Sequence, residues 1–217
     1  MKKLVVLLAV VIMSVAMVGC GSQGNASQDT QESATENSTP ESSTTEETTA
    51  DEMTTDEVDA GNTTLVVYFS NTGNTRNIAE IIAEGLSADT YEIVAEEPYT
   101  EEDLDWNDSN SRSTLEMNDS SARPAISGSV ENMDQYTTVY IGYPIWWGEA
   151  PRILDTFVES YDFDGKTVIP FVTSSSSGIG SSAKNLESLA GTGTWMDGER
   201  FSGSEDKDTV MEWVNQF

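Results

Sequence analysis

From residue 64 onward, apolar and polar positions follow two alternating rhythms. Leu65-Val66-Val67-Tyr68-Phe69 is a continuous apolar run rich in β-branched and aromatic residues, which predicts a buried strand over 64–69. Ile78, Ile81, Ile82 and Leu86 then recur at helical spacing and predict a helix over 74–87. A second strand is expected at 90–95, followed by a long irregular stretch. Within that stretch 105–118 has helical potential through Trp106, Leu115 and Met117, weakened by its Ser and Asn residues. Further strands are expected at 137–143 and 166–172, with helices at 149–160 and 179–190. A short strand near 194–196 and a closing helix at about 205–216, with Val210, Trp213 and Val214 turned inward, complete the pattern. Strands alternating with helices at this spacing imply parallel pairing through right-handed crossovers, hence an α/β fold. No internal repeat is visible.

Before residue 64 the pattern is different. Residues 1–20 begin Met1-Lys2-Lys3, run apolar from Leu4 to Val18 and end Gly19-Cys20, as a secretion signal does. The apolar run is short for a membrane span. Cys20 is the single cysteine, placed directly after small residues, and this resembles the bacterial lipobox, in which the thiol is lipidated and becomes the mature N-terminus. Met17 stands where leucine is commoner. The expectation is an extracytoplasmic protein held at the cell membrane by lipid alone, without disulfides or cysteine catalysis. Residues 21–63 are rich in Ser, Thr, Asn, Gln and acids, and hold almost no large apolar group. They cannot bury enough surface to offset the entropy of ordering and are expected to form a self-repelling tether.

Charge narrows the partners. The chain has 38 acidic and 10 basic residues. The tether carries 11 of those acids and the leader 2 lysines, which leaves 27 acids against 8 bases beyond residue 63, about −19. A nucleic-acid face is excluded on that balance, and docking to anionic lipid is disfavoured. The charge serves solubility, or fast salt-sensitive encounter with a basic partner. Histidine is absent, which removes Ser-His and Cys-His catalysis and most histidine metal sites. No catalytic or metal-binding residue is singled out.

Three loops carry the candidate chemistry. Ser70-Asn71-Thr72-Gly73-Asn74-Thr75 joins the first strand to the first helix. Helix-start N–H groups and small hydroxyls there suit an anion, and Gly73 permits a backbone angle or close approach that a side chain would block. The lysine of a nucleoside-triphosphate loop and the Gly-x-Gly-x-x-Gly of a dinucleotide loop are both missing, which leaves a single terminal phosphate, or an ordinary capped turn. Gly142-Tyr143-Pro144-Ile145-Trp146-Trp147-Gly148-Glu149-Ala150-Pro151 follows the third strand, and its paired indoles offer either a flat surface for a planar ring or core filling. Thr173-Ser174-Ser175-Ser176-Ser177-Gly178-Ile179-Gly180-Ser181-Ser182 follows the fourth strand. It is a ligand loop rather than a linker, because it lies between a buried strand and an amphipathic helix with Ala183, Leu186 and Leu189. All three lie at strand C-terminal ends, the edge where open α/β sheets bind ligands.

These motifs resemble the flavodoxin family over about 64–217, in particular its flavodoxin-like lipoprotein branch. Ser70 to Thr75 is similar to the family's phosphate loop, Pro144 to Gly148 to its flavin-ring loop, and Thr173 to Gly180 to the loop bordering the flavin's pyrimidine edge. The third loop has serines where the family often has glycine. The resemblance implies a doubly wound five-stranded parallel sheet of order 2-1-3-4-5 with flavin mononucleotide (FMN) as cofactor. It implies cofactor contacts from Ser70, Asn71, Thr72, Gly73, Asn74, Thr75, Tyr143, Pro144, Ile145, Trp146, Trp147, Gly148, Thr173, Ser174, Ser175, Ser176, Gly178 and Gly180. The branch also tends to carry an Arg and an Arg-Pro pair between the second and third strands, here Arg112 and Arg123-Pro124. Arg112 is expected to pin a loop by an ion pair, the alternative being that it covers a ligand edge.

Three functions stay open on this reading: an FMN electron carrier serving a redox protein or small acceptor, an FMN-dependent quinone or NAD(P)H oxidoreductase, and a non-redox binding lipoprotein. The acidic balance adds an expectation. One carboxylate about 8 Å from an anionic reduced flavin contributes about 2 kcal/mol of repulsion at an effective dielectric of about 20, which lowers the potential of the reduced couple.

Overall fold

The structure is a computed structural model and describes residues 63–217. The expected leader at 1–20, the lipidation site at Cys20 and all but the last residue of the 21–63 tether lie outside the described residues. The elements are β1 (Thr64–Tyr68), α1 (Asn74–Leu86), β2 (Asp89–Glu92), β3 (Val94–Ala95), α2 (Arg112–Asn118), β4 (Ile126–Ser127), β5 (Thr138–Pro144), α3 (Arg152–Glu159), β6 (Thr167–Thr173), α4 (Ser182–Ala190), β7 (Thr194–Trp195), β8 (Glu199–Phe201) and α5 (Lys207–Val214). Among the described residues no helix is long and apolar enough to cross a membrane.

Alternation along the central strands sorts the core into two layers. Leu65, Val67, Val139 and Ile141 face one way and pack with Ile153, Leu154 and Phe157 of α3 and Leu186 of α4. Val66, Tyr68, Tyr140 and Ile169 face the other way and pack with Ile78 and Ile82 of α1 and Val210 and Trp213 of α5. Helices thus cover both faces of a parallel sheet, in the order β2-β1-β5-β6-β7 with β8 also on β6. In chain order of the sheet strands this is the expected 2-1-3-4-5. Leu86 and Leu189, at the ends of their helices, stay exposed.

The fifth strand is divided, and Pro170 explains the division. Thr194 and Met196 donate N–H bonds to the Lys166 and Val168 carbonyls, both at 2.8 Å, so alternate positions of β6 face this neighbour. Pro170 is the next such position and has no N–H to give. Pairing moves from Val168↔Trp195 to Phe171↔Glu199, so one extra residue bulges on the outer strand. A Cβ on Gly198 would lie 2.5 Å from the Pro170 carbonyl oxygen, so only glycine fits the bulge.

Other boundaries shift for local reasons. The expected strand at 90–95 pairs with β1 as far as Ile93, whose N–H donates to the Tyr68 carbonyl at 2.7 Å. Val94–Ala95 then turns away to pair antiparallel with β4. The expected helix at 105–118 begins only at Arg112. Asp105 and Asp108 accept the N–H groups of Asn107 and Asn110 at 2.9 Å, turns that compete with a helix, and Ser111 supplies the cap by accepting from the Thr114 N–H. Helix α3 starts at Arg152 rather than 149, because Pro151 biases Ala150 to extended backbone.

Candidate functional site

Parallel register brings the three loops to one edge. Tyr68 at the end of β1 pairs with Gly142, and Pro144 at the end of β5 pairs with Thr173. Phe69 N–H donates to the Gly142 carbonyl at 2.9 Å and Ile145 N–H to the Thr173 carbonyl at 3.1 Å. Between the first two loops opens a cleft of about 400 Å³. Its walls are Ser70, Asn71, Thr72 and Thr75, then Pro144, Ile145, Trp146 and Trp147, and on the outer side Leu104, Trp106 and Ser113.

The polar wall is a neutral anion cradle. Gly73 precedes α1 at φ +85°, and the first helical bond runs from Asn77 N–H to its carbonyl at 2.9 Å. The N–H groups of Asn74, Thr75 and Arg76 therefore have no helical acceptor, at the positive end of the helix dipole. The Ser70 hydroxyl oxygen is buried without a hydrogen-bond partner among the described residues. Asn74 Nδ2 donates to Thr72 Oγ1 at 3.2 Å, which braces the turn. The nearest cation in sequence, Arg76, is engaged by Glu92, so the cradle offers hydroxyls and amides rather than a positive side chain.

The apolar wall divides the two expected indoles. Trp146 is partly buried, edge-on to Phe69 at 5.7 Å and to Tyr99 at 5.6 Å. Trp146 and Glu149 exchange both backbone hydrogen bonds at 2.9 Å, closing a two-residue turn. At its tip Trp147 has φ +49° and Gly148 φ +84°, the signs of a type I′ turn. That conformation is rare for a bulky residue, and here it leaves Trp147 51% exposed beside the cleft. Tyr143 lies elsewhere: it is fully buried behind the loop, its hydroxyl 3.0 Å from Ser182 Oγ, and burial pushes its pKa upward.

The third loop contributes only its first residue to the junction. Thr173 is buried and its hydroxyl lies 2.8 Å from that of Thr75. Ser174, Ser175, Ser176, Gly178 and Gly180 stand beside the cleft and do not line it. The Ser174 hydroxyl donates to the Ser177 carbonyl, and Arg200 Nη2 donates to the carbonyls of Ser174 and Ser175, both at 2.8 Å. Glu149 joins this side to the indole turn, accepting from Asn185 Nδ2 at 2.8 Å and Ser181 Oγ at 3.2 Å.

Sequence reading missed Leu104, Trp106 and Ser113. The one local signal was a large aromatic, Trp106, isolated in a polar stretch; it is 73% exposed at the cleft. Arg112 pins this segment as expected: Nε donates to Glu116 at 2.7 Å and Nη1 to the Glu97 carbonyl at 2.6 Å. Its guanidinium also covers the Tyr99 ring at 4.0 Å, and the Tyr99 hydroxyl donates to Glu116 at 2.6 Å.

Together these features define a doubly wound α/β protein with an anion cradle and an aromatic wall meeting at the C-terminal edge of its sheet. The sequence profile of the flavodoxin family matches residues 63–217, and the chain belongs to that family. It is similar to a candidate flavoprotein from Bacteroides uniformis ATCC 8492 (46% identity over 71% of this chain and 99% of that one, TM-score 0.68). A candidate flavoprotein from Bacteroides eggerthii DSM 20697 is similar too (44% identity, 70% and 96% covered, TM-score 0.66). A flavoprotein from Lactobacillus acidophilus NCFM, solved in complex with FMN, shares the fold at 21% identity (70% and 99% covered, TM-score 0.52). No curated protein gives a significant match. FMN is the cofactor that goes with this family, and electron transfer its general work. The residues present fit that group: a buried, unpartnered hydroxyl and free helix-start amides at one wall, indoles at another.

Proposed function

We propose that the protein is an electron carrier, anchored by lipid at Cys20 outside the cytoplasm, that holds FMN in this cleft and serves a redox partner with a basic surface. The observation that carries the reading is the buried Ser70 hydroxyl, unpartnered beside the start of α1 in a cleft also lined by two tryptophans from the second loop. When bound, FMN supplies reversible electron exchange. The chain supplies the rest. Ser70, Thr72 and the amides from Asn74 to Arg76 hold the phosphate without a positive side chain. Trp146, Trp147 and Trp106 exclude water from the ring's surroundings. The excess of acidic residues over basic ones disfavours added negative charge in the cleft. The same acidic surface steers a basic partner by salt-sensitive attraction.

An absorbance spectrum of the purified protein, with the released nucleotide identified, tests the cofactor; a protein that stays colourless after incubation with FMN would refute the reading. Redox titration is expected to place the fully reduced couple below that of free FMN, and a value at or above it would remove the electrostatic part. Lipid attachment is tested by labelling with a radioactive fatty acid, expected in the native chain and lost in Cys20→Ala.

A further inference from the structure

We propose that the segment between Tyr99 and Asn118 is a cofactor-holding element in its own right, and that the Ser113 hydroxyl hydrogen-bonds the oxygen-rich chain of bound FMN. This rests on the FMN reading above and extends it to a residue outside all three loops. Ser113 is only 2% exposed, yet it lines the cleft together with Ser70, Thr72 and Thr75. Among the described residues its hydroxyl has one hydrogen-bond neighbour, Ser111 Oγ, at the long distance of 3.5 Å. That neighbour is already committed: Ser111 Oγ donates to Thr114 Oγ1 at 2.9 Å and accepts from Thr114 N–H at 3.3 Å. Ser113 is thus a buried hydroxyl with most of its bonding capacity unused, which is costly unless something else satisfies it.

The surroundings hold it in place in advance. Ser113 N–H donates to the Asp103 carbonyl at 2.9 Å, tying it to the turn that carries Leu104. On one side Arg112 is fixed to Glu116 and to the Glu97 carbonyl. In the last turn of α2, Arg152 Nη2 donates to the Met117 carbonyl at 3.2 Å and anchors the segment to α3. A hydroxyl fixed before the ligand arrives loses little entropy on binding it. The partner in FMN is either a phosphate oxygen or a ribityl hydroxyl, and the two are separable because riboflavin carries only the second.

The test uses the full chain freed of cofactor, titrated with FMN and with riboflavin, as wild type, Ser113→Ala and Ser111→Ala. Ser113→Ala is expected to leave the unfolding midpoint of the cofactor-free protein unchanged and to weaken FMN about tenfold. An equal loss for riboflavin places the bond on the ribityl chain, and a loss confined to FMN places it on the phosphate. Ser111→Ala removes the cap of α2 and is expected to lower that midpoint instead. FMN affinity in Ser113→Ala within twofold of a wild type that does bind FMN would overturn the inference alone. A Ser113→Ala chain that does not fold, or that loses stability without losing affinity, would overturn it too, by assigning the hydroxyl to the fold. A wild type that takes no FMN would end both this inference and the reading beneath it.

Discussion

Thr75 and Thr173, 98 residues apart, share a buried hydrogen bond of 2.8 Å between their hydroxyls. One stands in the first turn of α1, the other at the end of β6. The bond therefore ties the anion cradle to the third loop directly.

Thr75→Val or Thr173→Val keeps the shape and strands the remaining hydroxyl, at an expected cost of about 1–2 kcal/mol each in urea unfolding. The double variant is expected to lose less than the sum, because neither hydroxyl is then left unpaired. Strictly additive losses would show that the two are not coupled.

Gly73 combines φ +85° with open space around the position a Cβ would take. Substitution there costs backbone strain rather than a clash, and asparagine tolerates that angle better than most residues. Gly73→Asn and Gly73→Asp share the strain and differ in charge. The aspartate variant is expected to bind FMN about tenfold more weakly than the asparagine variant. Riboflavin, without a phosphate, should not distinguish them. Equal FMN affinities would remove the phosphate from this loop.

Glu149 links the indole turn to Ser181 and Asn185 near the start of α4. Glu149→Ala frees the turn that carries Trp147, and the entropy of ordering it then falls on ligand binding. FMN affinity is expected to drop several-fold, with little change in the unfolding midpoint because the bonds are near the surface. Trp147→Phe in the Glu149→Ala background should add less than it does alone; full additivity by calorimetry would break the link.

Burial pushes up the pKa values of Tyr68, Tyr91, Tyr99, Tyr136, Tyr140 and Tyr143, that of Tyr140 to about 12. Above the ordinary value of 10.0 the unfolded chain releases these protons first. The folded state then binds more protons than the unfolded one, so stability falls as pH rises past about 10. Unfolding midpoints measured from pH 8 to 11 should be level at first and then drop. Most of the tyrosinate absorbance should rise together with unfolding; ionisation of several tyrosines well before it would contradict the burial.

The strands, their parallel pairing and the location of the binding edge were legible because they rest on local signals, whereas the order of the sheet came from the family resemblance. Leu65 to Phe69 is apolar enough to be buried on both faces, and Ser70 to Thr75 has the hydroxyls and glycine of a helix-start turn. Where a nearby residue competed with the period, the boundary moved: Asp105 and Asp108 delayed α2, and Pro151 delayed α3. Pro170 was visible in the sequence, but its effect on the fifth strand needed the pairing register.

The cleft itself is the product of distant packing. Trp146 and Trp147 are neighbours of identical chemistry, and what separates them is a turn closed by Glu149 and the rings of Phe69 and Tyr99. Tyr143, expected in the same loop, belongs to β5 and shares the layer of Val139 and Ile141, because alternate strand residues point to the same side. Trp106 and Ser113 reach the cleft only because Arg112, Arg152 and the antiparallel pairing of β3 with β4 fold their segment back over the sheet edge. Periodicity and turn chemistry are written in adjacent residues, so the chain alone announced the layers and the loops. Which side chains share a wall depends on contacts between residues far apart along the chain, and no local pattern encodes those.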